Sequence, residues 1–265
     1  MTRSRGPVRP LHLRARRAIR RRLRPGAAAG VFYLPHPDDT MLVSYPRSGS
    51  TWMRCLLAAA LDPGLDLQGV VLGDVVPDIY QSTEGHLRSL PRPLVVKSHQ
   101  PPQPGYGRAL LLVRHPADVV VSYHRYLRLA DYPVTDDPAA FAREVVVGPA
   151  PLPRFDTWPR HTRAWLDRGV PVVRYEDLLA DPERGLGQAL DALGLTASAA
   201  AIRGAAQRVT PATLRAIESA QPRHLRSHVG AGGRGTGLRT LDDATLALLR
   251  RETAELTDLL GYEVW

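Results

Sequence analysis

Short apolar runs alternate along this chain with longer segments of helical periodicity. The runs are too short for helices and are bounded by Pro, Gly or charged residues, so they predict buried strands. The predicted strands are Met41–Tyr45, Leu94–Val96, Ala109–Val113 and Val170–Tyr175. The predicted helices are Thr51–Leu61, Pro116–Arg128, Trp158–Arg168, Asp181–Leu193, Thr210–Ala220 and Leu241–Leu260. Alternation of this kind favours an α/β fold, with a central parallel sheet flanked by helices.

Three less regular segments separate these elements. Residues 62–93 are rich in Pro and Gly, residues 131–155 predict a long irregular insertion, and residues 228–239 form a Gly-rich loop. Surface segments of this kind often line binding clefts. We therefore expect the overlapping stretches 64–93, 125–157 and 221–240 to line part of a binding cleft.

Positive charge is concentrated at the start of the chain. Residues 1–24 hold ten of the 35 basic residues and no acidic residue, so the remainder is nearly neutral. A block of like charge predicts a flexible basic tail over residues 1–30, followed by one domain over residues 31–265.

The same tail has an alternative interpretation as an amphipathic helix. Its apolar residues recur at every fourth position, at Leu11, Ala15, Ile19 and Leu23. Such a helix would bind an anionic membrane surface or another polyanion. No aromatic residue interleaves with the Arg run, so a specific nucleic-acid module is not predicted.

Hydropathy and the rarest residue types limit where the protein is expected to act and which kinds of site it can hold. No apolar stretch is long enough to span a bilayer, so we expect a cytoplasmic protein, with peripheral membrane attachment through residues 1–24 as the alternative. Cys55 is the only cysteine, which excludes an internal disulfide and a multi-cysteine metal site. Lys97 is the only lysine, which points to a position that needs a compact ammonium.

The segment S-Y-P-R-S-G-S-T-W at residues 44–52 lies between the first predicted strand and the next helix. Ligands of open α/β sheets bind at the carboxyl ends of strands, and a helix N-terminus there attracts phosphate or sulfate. Gly49 lets the backbone approach an anion closely, and Arg47 adds positive charge. Further donors are the hydroxyls of Ser48, Ser50 and Thr51. The segment therefore predicts an anion-binding loop.

This loop differs from the nucleoside-triphosphate fingerprint G-x-x-x-x-G-K-[ST], because it has one Gly and no Lys at that place. A kinase-like nucleotide-binding protein stays an alternative, since Glu176 and Asp177 follow the last predicted strand and could hold Mg²⁺.

Two more clusters follow the second and third predicted strands. Lys97 and His99 lie just past strand two, two residues apart, so their side chains share one side of an extended chain. A His can take a proton from a hydroxyl near neutral pH, and a Lys can neutralise charge on a transferred group. Arg114 ends strand three, and Ser122 lies in the second turn of the next helix, where the two could hold a phosphate. Asp118 is predicted to cap that helix.

Together and in this order, these segments resemble the sulfotransferases that use 3′-phosphoadenosine-5′-phosphosulfate (PAPS). The family patterns Y-P-K-S-G-T-T-W, K-T-H and R-x-P-x-D-x-x-x-S correspond here to residues 45–52, 97–99 and 114–122. W-x-x-H-x-x-x-W at residues 158–165 and V-V-R-Y-E-D-L at residues 172–178 also fit. The resemblance covers residues 41–193 and continues more weakly to the C-terminus. It implies a P-loop-like sulfotransferase fold and PAPS as co-substrate, without a metal.

The resemblance also implies a role for each matching residue. Three residues are expected to be catalytic: His99 as the base, Lys97 at the leaving phosphosulfate oxygen, and Arg47 in the anion loop. The expected nucleotide-binding residues, besides Arg47, are Ser48, Gly49, Ser50 and Thr51 at the 5′-phosphosulfate, Trp52 stacked on the adenine, Arg114 and Ser122 at the 3′-phosphate, Tyr175 beside the adenine, and Thr210 and Arg226 towards the C-terminus.

The chain departs from the family pattern at several places, including the Gly-rich loop at residues 230–237, which lacks the family's Trp. Arg47 replaces the usual Lys, so a planar guanidinium group stands where the family has a compact ammonium. The segment at residues 209–214 lacks the family's Phe, and only Thr210 matches there. The late R-K-G motif reads Arg226-Ser227-His228, in which only Arg226 matches.

We therefore expect transfer of a sulfuryl group from PAPS to a hydroxyl or amine of a small-molecule, glycan or lipid acceptor. Two further classes are alternatives. His36-Pro37-Asp38-Asp39 resembles the zinc-binding H-P-D-D of certain sugar deacetylases, although the chain has no H-x-x-H. A non-catalytic polyanion binder would depend on residues 1–24 and would not need His99.

Overall fold

Five stretches of the chain are described by the structure, a computed structural model. They are residues 35–66, 72–130, 132–148, 155–220 and 233–262. The predicted basic tail and Arg226 lie outside these residues, so the predictions that concern them stay predictions.

The described residues contain one sheet of four parallel strands. These are β1 (Thr40–Ser44), β2 (Val95–Ser98), β3 (Ala109–Val113) and β4 (Val172–Arg174). Their spatial order is β2-β1-β3-β4, so the chain moves to one side of β1 and then to the other. A reversal of this kind leaves a crevice at the carboxyl ends of the two diverging strands, here β1 and β3.

Helices connect the strands and cover the sheet. In chain order they are α1 (Ser50–Leu61), α2 (Leu72–Val75), α3 (Glu84–Ser89), α4 (Pro116–Leu129), α5 (Pro138–Phe141), α6 (Trp158–Asp167), α7 (Tyr175–Ala180), α8 (Pro182–Leu193), α9 (Ala199–Arg208), α10 (Pro211–Ala220), α11 (Thr236–Thr240) and α12 (Asp243–Leu259). The six predicted helices are all present, with ends that differ by a residue or two.

The fold class is confirmed, because alternate residues of β1 face separate hydrophobic cores on the two sides of the sheet. Leu42 packs in one core with α1 and α8, whereas Met41 and Val43 pack in another with Trp165 of α6. A strand that is buried on both faces is apolar throughout, which explains the continuous runs in the sequence.

Two sequence predictions need correction. Part of the insertion predicted as irregular is helical, because α5 continues into a π-helical turn over Ala142–Val146. The Asp137 carboxylate caps α5 by accepting bonds from the amides of Ala139 and Ala140, and the Phe141 ring is fully buried. Helix α7 was missed because it begins directly after β4, and α9 because its Ala-rich sequence lacks apolar periodicity.

No helix in the described stretches combines the length and hydropathy needed to cross a membrane.

Candidate active site

The loop between β1 and α1 has an unusual backbone. Arg47 and Gly49 have positive φ angles of 70° and 96°, and Gly49 directly precedes α1. No side chain caps this helix in the structure, so the amides around Ser50 and Thr51 remain available to an anion. Among the described residues, the buried Ser48 hydroxyl has no hydrogen-bond partner, which fits a group that binds a ligand oxygen.

The ring of Tyr175 lies directly over Gly49. A Cβ atom on residue 49 would lie 2.5 Å from Cδ2 of Tyr175, so a larger residue cannot fit without movement. The Arg114 guanidinium carbon lies 4.5 Å from the centre of the same ring, and Trp52 meets its edge with ring centres 5.8 Å apart. Tyr175 thus brings together residues that follow β1, β3 and β4.

Arg47 reaches across the crevice to α4. Its Nε donates a hydrogen bond of 3.3 Å to the hydroxyl of Ser122, and its guanidinium carbon lies 4.7 Å from the ring centre of Tyr126. Burial lowers the pKa of Arg47 to about 10, so the side chain stays a cation at neutral pH. Arg47 therefore joins the anion loop to the helix that follows β3.

Arg114 adds a second cation to the crevice, and this one is buried. One terminal nitrogen donates to the carbonyl of Arg47 at 3.2 Å, and the other donates to the carbonyl of Gly233 at 3.1 Å. Its buried Nε has no hydrogen-bond partner within the described part of the chain. The structure thus places Arg47, Arg114 and Ser122 together, and this arrangement suits a phosphate group.

Asp118 does not cap α4 as the sequence suggested. It lies in the first turn, and its two carboxylate oxygens accept bonds from the amides of Gly235 (2.9 Å) and Gly237 (2.7 Å). A Cβ atom on Gly237 would lie 2.2 Å from the Ala117 carbonyl group, so this glycine permits the contact. Asp118 therefore ties the C-terminal Gly-rich segment to the crevice.

Trp52 and Thr210 meet at the edge of the site. The indole Nε1 of Trp52 donates to the carbonyl of Val209 at 2.6 Å. The next residue, Thr210, caps α10, because its hydroxyl accepts the amide of Thr213 at 3.0 Å. Trp52 therefore contacts the residue next to Thr210, as a shared site requires. The Thr210 hydroxyl, however, already bonds within the protein as a helix cap.

His99 follows β2, and β1 orients its imidazole. Nδ1 lies 2.6 Å from the carbonyl oxygen of Ser44, which can only accept, so in the neutral ring Nδ1 carries the hydrogen. Nε2 is then the nitrogen that can accept a proton. Tyr80 stacks on the imidazole with ring centres 5.6 Å apart, and Phe155 meets its edge at the same distance.

The surroundings of His99 keep its imidazole neutral. Burial, followed by the positive charge of Lys97, holds the pKa of His99 well below its usual range. A neutral imidazole with a fixed tautomer and a free lone pair is the form that a general base requires.

Lys97 lies within β2, not beyond the strand as the sequence suggested, and it is ion-paired. Its Nζ donates to Oδ2 of Asp78 at 2.9 Å, and a terminal nitrogen of Arg54 lies 3.9 Å from the same oxygen. All three side chains are buried. Burial lowers the pKa of Lys97, and Asp78 opposes that shift.

Asp78 is the residue of this site that the sequence reasoning missed. It stands alone among apolar residues in V-V-P-D-I-Y at residues 75–80. An acid in an apolar segment is rarely buried without a partner. That signal could have singled out Asp78, but the sequence did not show that its partner is Lys97.

Two of the other buried histidines, His115 and His161, predict acid sensitivity of the fold. Burial lowers the pKa of His161 to about 3 and that of His115 to about 4, below the value of about 6.5 in an unfolded chain. Below pH 6.5 the unfolded state therefore binds more protons. The free energy of unfolding should fall as the pH drops from about 6.5 to about 4, by at most about 1.4 kcal/mol per pH unit for each histidine.

Urea unfolding at a series of pH values measures this slope. His161→Asn should flatten it, because one of the groups that titrates only in the unfolded chain is removed. Equal stability at pH values of about 7 and about 5 would contradict the prediction.

The two acidic residues that a kinase-like site would use are engaged elsewhere. Glu176 accepts bonds from the amide of His115 at 3.0 Å and from the hydroxyl of Tyr262 at 2.9 Å. Asp177 forms a bidentate ion pair with Arg174, with both contacts at 2.6 Å. The two carboxylates bind different partners and do not converge on a common point. The geometry therefore does not favour a Mg²⁺ site.

The H-P-D-D segment anchors the opposite end of the sheet. Asp39 precedes β1 and accepts bonds from the amides of His36 (2.9 Å) and Leu94 (3.1 Å), and its carboxylate also pairs with Arg92. No group of three potential metal ligands occurs in the stretches that the structure describes. The geometry gives the deacetylase alternative no support.

Comparisons with known proteins identify the family and the fold. A family model described as "Sulfotransferase domain" matches residues 37–235. The chain is 28% identical to Sulfotransferase 1E1 of Bos taurus over 183 residues, and 29% identical to Sulfotransferase 1A1 of Bos taurus over 181 residues. These matches cover 61% and 60% of this chain. They cover 61% and 59% of the relatives, so the chain spans about six tenths of their length.

Solved structures share the fold. A mouse sulfotransferase, SULT7A1, complexed with PAP aligns over 86% of each chain with a TM-score of 0.65 and 19% identity. A retinol dehydratase in a complex with retinol and PAP aligns over 89% of this chain and 85% of its own, with a TM-score of 0.64 and 16% identity.

Proposed function

Because this chain belongs to the sulfotransferase domain family, we propose that it transfers a sulfuryl group from PAPS to a hydroxyl or amine of an acceptor. One observation carries the proposal. The neutral imidazole of His99, whose Nε2 can accept a proton, lies at the same edge of the sheet as the N-terminus of α1 and the guanidinium groups of Arg47 and Arg114. The first suits proton removal, and the others suit a doubly phosphorylated nucleotide.

The described residues fit such a nucleotide in two places. The Gly49 turn, the Ser48 hydroxyl and the first turn of α1 would hold the 5′-phosphosulfate, because they present backbone amides and an unpaired buried hydroxyl. Arg114 and Ser122 would hold the 3′-phosphate, and the unpaired Nε of Arg114 supports that role.

The aromatic residues of the crevice would receive the adenine. Trp52 and Tyr175 lie edge to face beside the anion loop, and Thr210 follows the residue that Trp52 contacts. We propose that Trp52 stacks on the base and that Tyr175 and Thr210 border it. Arg226 lies outside the described residues and stays a proposed nucleotide-binding residue.

The proposed chemistry is a direct transfer. His99 accepts the proton of the acceptor at Nε2 while the acceptor oxygen or nitrogen bonds to sulfur. The bond between sulfur and the 5′-phosphate oxygen breaks, and adenosine 3′,5′-bisphosphate (PAP) leaves with that electron pair. Lys97, Arg47 and the amides of α1 balance the negative charge that develops on the leaving oxygen. PAPS itself supplies the sulfuryl group, and the residues supply position and charge.

The acceptor is proposed to be a small molecule. The proteins named above include one that binds retinol, and the rings of Tyr80 and Phe155 flank His99 in this chain. Those rings form an apolar surface beside the base. Glycan and lipid acceptors remain in the proposal, as does peripheral attachment of a cytoplasmic protein to a membrane through residues 1–24.

A thermal-shift panel tests the nucleotide. PAP should raise the melting temperature by roughly 5–10 °C at about 100 times its dissociation constant, because a ligand of the native state adds about 2.7 kcal/mol under those conditions. ATP with Mg²⁺ should give a much smaller shift, and zinc none. Stabilisation by ATP–Mg²⁺ alone would favour a kinase-like protein, and stabilisation by zinc alone a deacetylase.

A further inference from the structure

A short segment outside the sheet lies against two of the three proposed catalytic residues, Lys97 and His99. Residues 76–80 run beside β2, where the amide of Lys97 donates to the carbonyl of Pro77 at 2.8 Å and the amide of Ile79 donates to the carbonyl of Lys97 at 3.2 Å. These two bonds fix Asp78 opposite Lys97 in register. The backbone pairing with β2 therefore determines which side chains of this segment face Lys97 and His99.

The first of these side chains, Asp78, holds Lys97. The bond of 2.9 Å between Oδ2 and Nζ is buried, and Arg54 lies near the same carboxylate oxygen, so two cations share one anion. Buried ion pairs are weak sources of stability, since apolar residues of similar volume often serve as well. Stability alone therefore does not explain the Asp78–Lys97 pair. Its position beside the proposed base, His99, indicates a role in the reaction.

The second of these side chains, Tyr80, holds His99. Its ring stacks on the imidazole at an angle of 18°, and its hydroxyl accepts the amide of His99 at 3.1 Å. Nζ of Lys97 lies 5.0 Å from the centre of the same ring. One segment thus fixes the proposed base through Tyr80 and the ammonium beside it through Asp78.

We propose that Asp78 is a positioning residue for sulfuryl transfer, which holds the Lys97 ammonium in one place and in its charged form beside His99. This inference rests on the proposed function. Without Asp78, Lys97 would face Arg54, Arg47, His99 and the Tyr80 ring, none of which carries negative charge at neutral pH. Burial would then favour loss of its proton.

The only lysine of the chain makes a direct test available. Protein labelled with ¹³C and ¹⁵N in lysine and carrying no tag lysine gives one side-chain signal, that of Lys97. In Asp78→Asn, we expect Lys97 to titrate at least about one pKa unit lower than in the unaltered protein. In Asp78→Glu, the charge is kept, so Lys97 should titrate as before while its position changes.

Turnover in the same variants tests the catalytic consequence. With PAPS and 4-nitrophenol as the acceptor probe, both variants should show kcat reduced roughly 10- to 100-fold, with little change in KM for PAPS. Asp39→Asn is the matched control, because it removes another buried, Arg-paired carboxylate at the far end of β1. It should change neither the titration of Lys97 nor kcat.

Two results would overturn the inference. One is an unchanged titration of Lys97 in Asp78→Asn, and the other is a shifted titration with unchanged kcat. Failure of the proposed function has a different signature, since PAP would then not stabilise the unaltered protein and no transfer to the phenol would occur. Stabilisation by PAP in each variant shows that the fold and the nucleotide site survive.

Discussion

Replacing His99 with Asn is expected to lower kcat for sulfuryl transfer by roughly 10²- to 10⁴-fold, the usual contribution of a general base. Asn places an amide nitrogen near the position of Nδ1, so it can keep the bond to the Ser44 carbonyl while it lacks a proton acceptor at the position of Nε2. The protein should therefore stay folded and bind PAP. Steady-state kinetics with labelled PAPS and a panel of phenols, alcohols and amines measures the loss.

Two controls separate chemistry from structure in this experiment. His124→Ala removes another buried histidine, which bonds the carbonyl of Thr135, and it should leave kcat nearly unchanged. Added imidazole should partly restore transfer in His99→Ala, where space for a small base is opened. Full turnover in His99→Asn would rule out His99 as the base.

If His99 is the base, the pH dependence of transfer by the unaltered protein should reflect the pKa of His99. His99 must be neutral to act, and burial and Lys97 lower its pKa. Activity should therefore persist below pH 6.5 and fall only at a lower pH, as His99 becomes protonated. An acid limb centred above pH 6.5 would contradict this assignment.

Replacing Gly49 with Ala is expected to abolish measurable PAP binding and to destabilise the fold by about 2–5 kcal/mol. About 1–2 kcal/mol comes from placing a side chain at positive φ, and about 1–3 kcal/mol from the new contact with Tyr175. The added Cβ atom would lie 2.5 Å from that ring, so either the ring or the anion loop must move. Chemical denaturation and PAP titration measure the two effects.

Gly105→Ala is the matched control for Gly49→Ala. Gly105 has a similar φ of 86°, but no atom lies within 4 Å of the position that its Cβ would occupy. It should lose stability only through the backbone and should bind PAP normally. Tyr175→Leu in the Gly49→Ala background should recover part of the stability but not the affinity. Equal effects of the two glycine substitutions would show that the close approach of Tyr175 does not matter.

The local elements of this protein were largely readable from its sequence. The strands are largely apolar runs between breakers, because β1, β2 and β3 are buried throughout and β4 is buried at Val173, and the proposed ligand loops follow them directly. The candidate positions Arg47, His99 and Arg114 could be selected for the same reason, since polar residues at the carboxyl ends of parallel strands meet at one edge.

The uses of individual side chains were less readable. Asp118 has the sequence context of a helix cap, but its carboxylate binds amides more than a hundred positions away, at Gly235 and Gly237. The Thr210 hydroxyl shows the opposite case. A ligand contact was predicted for it, but it caps the helix that begins next to it. A short polar side chain fits either use, and the choice depends on what the fold brings within reach.

The sequence by itself therefore determined the strands, the principal helices and the order of the loops that are proposed to carry the chemistry, because these follow from local apolar patterns and breakers. The tertiary structure alone decided which of those loops touch. It paired Arg47 with Ser122, placed Tyr175 over Gly49, and set Asp78 against Lys97. The first two contacts depend on the order of β1, β3 and β4 in the sheet, and the third depends on the pairing of residues 76–80 with β2. No local pattern encodes either arrangement.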